Sequence, residues 1–224
     1  MERQPSTHGV IVIGGGALLP QAIERVPSAP ATIIAADSGL DHAIAAGLRP
    51  DTLVGDLDSI SAAGRMWAYA HELSIDEYSS DKDATDTEIA IARAVAQPGL
   101  EHLLLLGGLE TEAERRLDHL LGTILALGHP ALAALTSVRA ILGATELVVL
   151  HPGRSAELAL DEGQTFSLFA LHGACSGVNL SGAKWPLVDA ALTSTEARGV
   201  SNLSSSDPLT VVSVATGVLT VVIP

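Results

Sequence analysis

The chain has 224 residues, of which 47% are hydrophobic and 17% charged, so it can bury a core of ordinary size and disorder is not expected. Its formal net charge of −14 argues against a nucleic-acid or anionic-membrane surface, which would need clustered basic residues. The single cysteine, Cys175, excludes an internal disulfide framework and a cysteine-rich metal site. With neither a secretory leader pattern nor an apolar run of about 18 residues, we expect a cytoplasmic protein without membrane spans.

Strands and helices alternate along the first part of the chain. Short apolar runs predict strands at residues 9–13, 31–36, 52–54, 73–78 and 103–106. Helical patterns lie between or after them, at residues 20–26, 40–46, 62–71, 85–96 and 116–127. This alternation predicts right-handed crossovers and a parallel sheet with ligands beyond the carboxyl ends of its strands. Asp37, Asp56 and Gly107 each follow a strand, so we expect them to meet at that edge.

After about residue 140 the pattern changes. Short strands between Gly, Ser and Pro turns are predicted at residues 146–150, 156–160, 165–171, 211–214 and 218–223. Such spacing is typical of a small antiparallel sandwich. We therefore expect an N-terminal parallel-sheet α/β domain over residues 1–142 and a small antiparallel β-sandwich domain over residues 143–224.

The third predicted strand ends in Gly55-Asp56-Leu57-Asp58. Alternate residues of an extended chain point to the same side about 6–7 Å apart, which would place Asp56 and Asp58 together at the end of the sheet. Two close carboxylates repel each other unless a cation or a shared proton lies between them, and Mg²⁺ prefers such oxygen ligands. The alternative is that one of them caps the following helix, because Asp is a favoured N-cap residue.

Acidic residues are concentrated around this strand end. Residues 36–88 contain 12 of the 26 Asp and Glu residues, where an even spread would give about six. The basic residues of the same stretch are Arg49, Arg65 and Lys82. This excess favours an acidic site over a solvated acidic face.

The turn before the fourth predicted helix is also acidic. Thr85 and Glu88 form a capping-box pattern, and Asp83 and Asp86 would lie near the helix N-terminus, where the helix dipole favours negative charge. The functional alternative is that this turn faces the site at Asp56. Glycines 14–16 follow the first strand and allow close approach of the backbone to phosphate, although a plain tight turn explains them equally.

Six short motifs, in this order, resemble those of thiamine pyrophosphokinases. The matching stretches are Ala36-Asp37-Ser38-Gly39, Pro50-Asp51 with Gly55-Asp56-Leu57-Asp58-Ser59, Lys82-Asp83-Ala84-Thr85-Asp86, Arg116-Leu117-Asp118-His119, Gly182-Ala183-Lys184-Trp185-Pro186-Leu187 and Gly199-Val200-Ser201-Asn202. Each match alone is weak, but six in sequence order are specific. The resemblance implies an α/β domain followed by a β-sandwich, in a homodimer with the thiamine site at the subunit interface. It also implies transfer of the pyrophosphoryl group of ATP to the hydroxyl of thiamine, with Mg²⁺, to give thiamine diphosphate and AMP.

The matched positions imply the site residues. The expected catalytic residues are Asp37, Asp56, Asp58, Asp86, Arg116 and Asp118. Mg²⁺ is expected on Asp56, Asp58 and Asp86, with Asp37 and Asp118 orienting the substrate alcohol or metal-bound waters. ATP is expected to contact Asp83, Thr85, Gly107, Gly108 and Arg116. Thiamine is expected to contact Ser201, Asn202 and Trp185, although Trp185 could equally be a core or interface residue.

Two departures from the family pattern stand out. Ser38 replaces a glycine, which matters only if that position needs a positive φ. Glu114 and Arg115 replace two glycines before Arg116, in a segment (residues 109–115) that looks lengthened and acidic. Two other functions therefore compete with the first. One is a pyrophosphokinase for another hydroxymethyl heterocycle such as a pterin, and the other is a non-catalytic nucleotide- or thiamine-binding module.

Overall fold

The computed structural model describes residues 7–28, 31–108, 116–207 and 209–224. The chain forms two compact units. The first consists of Met1–Ala126 and Ala140–Ala144, and the second of Leu127–Arg139 and Thr145–Pro224. None of the described helices is both long and apolar enough to cross a membrane.

The first unit is built on five parallel strands. In chain order they are β1 (His8–Val12), β2 (Ala31–Ala36), β3 (Thr52–Gly55), β4 (Ser74–Glu77) and β5 (His102–Gly107). Their order across the sheet is β5-β1-β2-β3-β4. The chain steps outward from β1 to β4 and then returns to the opposite side of β1. In open α/β sheets, such a reversal of strand order marks the crevice where ligands bind.

Five helices accompany this sheet. They are α1 (Pro20–Glu24), α2 (Gly39–Ala45), α3 (Ala62–Ala70), α4 (Asp86–Val95) and α5 (Leu117–Ala126). The predicted alternation of strands and helices is confirmed, with boundaries that differ by a few residues. Thr85 caps α4: its hydroxyl accepts a hydrogen bond from the Glu88 amide at 3.2 Å, and its own amide donates to the Glu88 carboxylate at 2.8 Å. The predicted capping box is thus confirmed.

The core of the first unit extends into the acidic loop. The central strands are almost continuously buried, as expected for parallel strands covered on both faces. A second apolar cluster joins Leu53 of β3 and Leu40 of α2 to two residues of the loop after β3, Leu57 and Ile60. Burial of a leucine side chain contributes about 1.5–3 kcal/mol. The loop that contains Asp56 and Asp58 is therefore fixed to the core by its own apolar residues.

The second unit is a pair of antiparallel sheets, as predicted for this part of the chain. Its strands are β7 (Thr145–Leu150), β8 (Ser155–Leu158), β9 (Thr165–Phe169), β10 (Cys175–Ser181), β11 (Leu187–Leu192), β12 (Asn202–Leu203), β13 (Thr210–Ser213) and β14 (Leu219–Ile223). One sheet has the order β12-β9-β14-β7 and the other β11-β10-β13-β8. A short 3₁₀ helix (Pro130–Ala134) precedes β6 (Ser137–Leu142), which belongs partly to each unit.

Candidate active site

Asp37 follows β2 in a left-handed backbone conformation. Its φ is 48°, which Asp tolerates better than most residues. Its amide still donates to the Val54 carbonyl at 2.9 Å, so the position is held by the neighbouring strand. Ser38, which stands in place of a family glycine, has a φ of −59° and is not strained. Gly39 is the glycine that this turn requires, because a Cβ there would lie 2.1 Å from the Val12 carbonyl oxygen.

Asp56 and Asp58 lie on a left-handed turn, and the expected extended geometry is wrong. β3 ends at Gly55, and Leu57 between the two acids has a φ of 63°. The Leu57 side chain is only 6% exposed, so the turn directs it into the core. The Asp58 amide donates to Oδ1 of Asp56 at 3.3 Å. The two carboxylates are thus brought together by the turn and not by strand alternation.

The alternative that Asp56 or Asp58 caps α3 is also wrong. Ser61 is the N-cap, and its hydroxyl accepts a hydrogen bond from the Gly64 amide at 2.9 Å. The Ser61 amide in turn donates to Oδ2 of Asp41 at 2.8 Å. Asp56 and Asp58 are therefore available for another role.

Three carboxylates converge at the ends of β2 and β3. One oxygen from each of Asp37, Asp56 and Asp58 lies within 4.8 Å of the other two. Oδ2 of Asp37 accepts a hydrogen bond from the Ser59 hydroxyl, whereas its buried Oδ1 has no hydrogen-bond partner among the described residues. Leaving a buried acceptor unpaired costs about 1–3 kcal/mol. Oxygen ligands at this spacing suit a hard divalent cation, so this trio fits Mg²⁺.

Lys82 links Asp86 to this acid trio. Its ammonium nitrogen lies 3.3 Å from Oδ2 of Asp56 and 3.2 Å from Oδ1 of Asp86. A Cβ on Gly55 would lie 3.1 Å from the Asp86 carboxylate and 3.2 Å from Cβ of Asp37, so this glycine lets both acids approach. Asp86 therefore lies near the trio and shares the Lys82 ammonium with Asp56, but its oxygens are not part of the trio.

Sequence reasoning missed Lys82 and Ser59 as site residues. Lys82 is one of three basic residues in an acid-rich stretch, and Ser59 directly follows the second acid of the Asp-x-Asp motif. Both signals were present in the sequence. The 26 positions between Lys82 and Asp56 explain why the contact itself could not be inferred locally.

The environment raises the pKa of Asp37. Burial is the largest cause; the hydrogen bond from Ser59 opposes it, and the negative charges of Asp86, Asp56 and Asp58 add to it. A carboxyl group with a raised pKa beside other carboxylates is typical of functional sites. A cation bound among these groups would relieve the same repulsion.

The pKa of Asp56 is shifted in the opposite direction from that of Asp37. Burial by itself raises its pKa, but the hydrogen bond from the Asp58 amide and the ammonium of Lys82 outweigh that effect and leave the pKa below its ordinary value. Burial likewise lowers the pKa of Lys82, and its contacts with Asp86 and Asp56 more than reverse this. Asp56 and Lys82 are therefore both charged at neutral pH.

Arg65 of α3 supports the turn between the two acids. Its Nη2 donates to the Leu57 carbonyl oxygen at 2.6 Å. A left-handed conformation costs an ordinary residue about 1–2 kcal/mol. A hydrogen bond to a charged group contributes about 1.5–3 kcal/mol. The Arg65 contact is thus large enough to offset the strain at Leu57.

Two glycine turns touch where the strand order reverses between β1 and β5. A Cβ on Gly108 would lie 2.5 Å from the carbonyl carbon and oxygen of Gly16, and 2.7 Å from the carbonyl oxygen of Gly15. Gly15 and Gly16 both have positive φ values, 98° and 116°. Gly107 and Gly108, predicted to contact ATP, therefore lie beside the glycine turn that follows β1, where the glycines have no side chain to cover the backbone. Asp83, also predicted to contact ATP, is exposed before α4.

Arg116 and Asp118 form a two-pronged ion pair at the start of α5. Nε and Nη2 of Arg116 donate to the Asp118 carboxylate at 3.0 and 2.7 Å, and Nη2 also lies 2.7 Å from Nε2 of His119. Hydrogen bonds from Arg116 hold the pKa of Asp118 far below its usual range. The altered segment before this pair, residues 109–115, lies outside the described residues.

The predicted thiamine residues come together in the second unit. The buried Asn202 side chain accepts from the Trp185 amide at 3.2 Å and from the Leu203 amide at 2.8 Å, and it donates to the Trp185 carbonyl at 2.8 Å. The Trp185 side chain is 52% exposed, so the alternative of a core tryptophan is wrong. Ser201 is exposed beside them, with a φ of 59°. Asn202 therefore holds the backbone that presents Trp185.

A cavity of about 340 Å³ lies elsewhere in the second unit, between β6, β7 and β8. It is lined by Arg139, Arg154 and the buried His151, and by none of the predicted site residues. The candidate site is therefore identified by the chemistry of its side chains and not by the depth of a pocket.

Two protein-family models match the chain in succession. One is described as thiamin pyrophosphokinase, catalytic domain, and matches residues 23–137. The other is described as thiamin pyrophosphokinase, vitamin B1 binding domain, and matches residues 154–219. No curated protein sequence matches the chain.

Solved structures of thiamine pyrophosphokinases have a fold similar to that of this chain. Thiamine pyrophosphokinase from Bacillus subtilis is 23% identical with a TM-score of 0.77, over 96% of this chain and 98% of that one. The enzyme from Candida albicans is 14% identical with a TM-score of 0.73, over 96% and 89% of the two chains. Yeast thiamin pyrophosphokinase is 14% identical with a TM-score of 0.70, over 99% and 88%. Because the catalytic-domain model alone matches more than half of its residues, the chain belongs to the thiamin pyrophosphokinase family.

Proposed function

We propose that the acid trio of the first unit is where this family member transfers the pyrophosphoryl group of ATP to the hydroxyl of thiamine, giving thiamine diphosphate and AMP. The observation that carries the proposal is the convergence of Asp37, Asp56 and Asp58, with a buried Asp37 oxygen that is unpartnered among the described residues. Pyrophosphoryl transfer needs the attacking oxygen in line with a phosphorus atom and needs the spreading charge neutralised.

The trio fits Mg²⁺, which would neutralise the charge that develops on the transferred phosphates. We propose Asp37, Asp56 and Asp58 as the residues that hold it. Asp86, predicted as a ligand, lies next to these residues through Lys82 and stays a candidate. The chain's own contribution is to keep Asp56 ionised and to keep the carboxylates close, through Lys82, Ser59 and the turn at Leu57.

The phosphates of ATP would lie at the reversal between β1 and β5, where Gly107 and Gly108 meet the glycine turn after β1. The planar guanidinium of Arg116 suits two-pronged binding of phosphate oxygens, which requires it to leave Asp118. The lowered pKa of Asp118 makes it a weak general base. Its proposed role is therefore to accept a hydrogen bond from the thiamine hydroxyl and orient it.

Thiamine carries a cationic thiazolium ring, which an exposed tryptophan face attracts. Trp185 is the proposed stacking residue, on the ring face opposite the Lys184 ammonium, which lies 4.6 Å from the ring centroid, and the Ser201 hydroxyl is a proposed hydrogen-bond partner. Asn202 acts on thiamine indirectly, by holding the Trp185 backbone. We further propose a cytoplasmic homodimer with thiamine bound at the subunit interface, as the family resemblance implies.

The competing substrate is a pterin alcohol, and the match to a vitamin B1 binding domain favours thiamine. To separate them, the protein is incubated with ATP and either thiamine or 6-hydroxymethyl-dihydropterin, with Mg²⁺ or with EDTA, and the nucleotides are separated by chromatography. We expect equal amounts of AMP and thiamine diphosphate, only with thiamine and Mg²⁺. AMP with the pterin alone would indicate the other substrate. Nucleotide binding without AMP release would indicate a non-catalytic module.

A further inference from the structure

Arg65 and Asp56 act on opposite ends of the same peptide group. Nη2 of Arg65 donates to the carbonyl oxygen of Leu57 at 2.6 Å, and the amide of Asp58 donates to Oδ1 of Asp56 at 3.3 Å. That carbonyl and that amide belong to the single planar peptide between residues 57 and 58. Arg65 therefore holds the carbonyl end of this peptide, and the Asp56 carboxylate accepts a hydrogen bond from its amide end.

The remaining contacts of the turn hold it at other points. The Leu57 side chain is packed in the core, the Ser59 hydroxyl donates to Asp37, and the Ser61 amide donates to Asp41. None of these three contacts acts on the peptide between the two acids. Leu57 is in the left-handed region, which is sterically unfavourable for a residue with a Cβ and needs other contacts to stabilise it. A guanidinium on the carbonyl oxygen also polarises the peptide and strengthens its amide as a donor.

We propose that Arg65 is a positioning residue of the acidic site: it fixes the peptide between residues 57 and 58, and so sets the orientation of Asp56 relative to Asp58 and the affinity of the site for a divalent cation. Arg65 touches neither substrate nor cation in this role. An effect of Arg65 on the rate of AMP formation would rest on the proposed function. Its effect on the affinity of the acidic site for a divalent cation does not.

The test compares Arg65→Met, Arg65→Lys and Arg49→Met with the wild type. Arg49 is an exposed arginine of the same unit, so its replacement removes the same charge without disturbing the turn. Mn²⁺ alone is the probe, and its free concentration is followed by electron paramagnetic resonance. We expect Arg65→Met to raise the Mn²⁺ Kd about tenfold, equivalent to about 1.4 kcal/mol. Arg65→Lys should recover part of the affinity, because its ammonium can donate to the same carbonyl, and Arg49→Met should bind as the wild type does.

Hydrogen exchange provides a readout that is independent of activity. In Arg65→Met, amides of a peptide covering residues 53–64 should exchange faster, while those of residues 145–224 should not change. Wild-type Mn²⁺ affinity and wild-type exchange in Arg65→Met would overturn the proposal, as would absence of Mn²⁺ binding to the wild type. If Arg65→Met does not fold, Arg65→Lys decides: an unchanged Kd overturns the proposal and a raised one supports it. Failure of the proposed function is seen separately, as a wild-type protein that binds Mn²⁺ but forms no AMP.

Discussion

The ammonium nitrogen of Lys82 lies 3.3 Å from Oδ2 of Asp56, inside a group of carboxylates that would otherwise repel one another. The same ammonium contacts Asp86. Both side chains of the Lys82–Asp56 pair are mostly buried, so water screens this pair less than an ion pair on the surface. Lys82 thus places a positive charge among these carboxylates before any metal ion binds.

Replacing Lys82 with methionine tests this role. The variant leaves Asp56 and Asp86 without their cation, so we expect the free energy of unfolding to fall by about 1–3 kcal/mol in EDTA. Mg²⁺ should restore part of the loss, because a bound cation would then stabilise the folded state alone. Urea unfolding curves in EDTA and in Mg²⁺ measure both effects, with Arg49→Met as the charge control. A loss of the same size with and without Mg²⁺ would contradict this account.

Asp37→Asn should separate stability from activity. Asparagine tolerates the left-handed conformation of this position and can still accept the hydrogen bond from Ser59. The neutral side chain removes a buried charge that three other carboxylates oppose. We therefore expect the metal-free variant to be more stable than the wild type at pH 8, whereas AMP formation falls by about 10²-fold or more.

The pH dependence of this difference follows from the raised pKa of Asp37. Below the ordinary pKa of an aspartate, about 3.9, the Asp37 carboxyl is protonated in both the folded and the unfolded wild type, so the difference in unfolding free energy from Asp37→Asn should be small. As the pH rises above the unfolded pKa of about 3.9, the unfolded state loses that proton first, so wild-type stability falls until the pH passes the folded pKa. Urea unfolding of both proteins between pH 4 and 8 measures the divergence. If the difference in unfolding free energy between the two proteins shrinks as the pH rises, the pKa of Asp37 is not raised in the folded state.

Asn202→Asp should disturb the proposed thiamine site. An aspartate can still accept from the amides of Trp185 and Leu203, but it cannot donate to the Trp185 carbonyl at 2.8 Å. We expect a loss of about 1–3 kcal/mol in unfolding free energy and a raised KM for thiamine, because the buried carbonyl loses its donor. Tryptophan fluorescence and steady-state kinetics measure these effects.

Asn179→Asp is the matched control for this change, because Asn179 is exposed and also joins backbone groups through its amide. Its stability loss should be smaller, with the KM unchanged. Equal losses of stability and affinity in the two variants would argue against a special role for Asn202.

Much of the first unit could be predicted because local signals and fold agree there. The apolar runs of β1 and β5 are long enough to indicate central parallel strands, and the acids directly follow strand ends. Thr85 and Glu88 marked the start of α4 through chemistry that is local to one turn. Parallel strands then required that Asp37 and Asp56 meet at one edge.

What could not be predicted depends on tertiary contacts or on unusual backbone. Leu57 is apolar and gives no signal for a positive φ, so the two acids were expected on an extended strand. Strands β6, β10, β11 and β12 were missed. Buried and exposed residues do not alternate regularly along β10 and β11, and the pairing of these two strands contains register shifts. β12 has only two residues, too few for any periodic pattern.

The most direct test of the central claim is the rate of AMP formation by Asp56→Asn. Asparagine keeps the shape of the side chain and can still accept the hydrogen bond from the Asp58 amide, but it removes the charge that pairs with Lys82 and that a cation would need. With saturating ATP, thiamine and Mg²⁺, we expect AMP formation to fall to the background rate, while circular dichroism shows a folded protein. A folded Asp56→Asn variant that forms AMP at the wild-type rate would contradict the assignment of the acid trio as the active site.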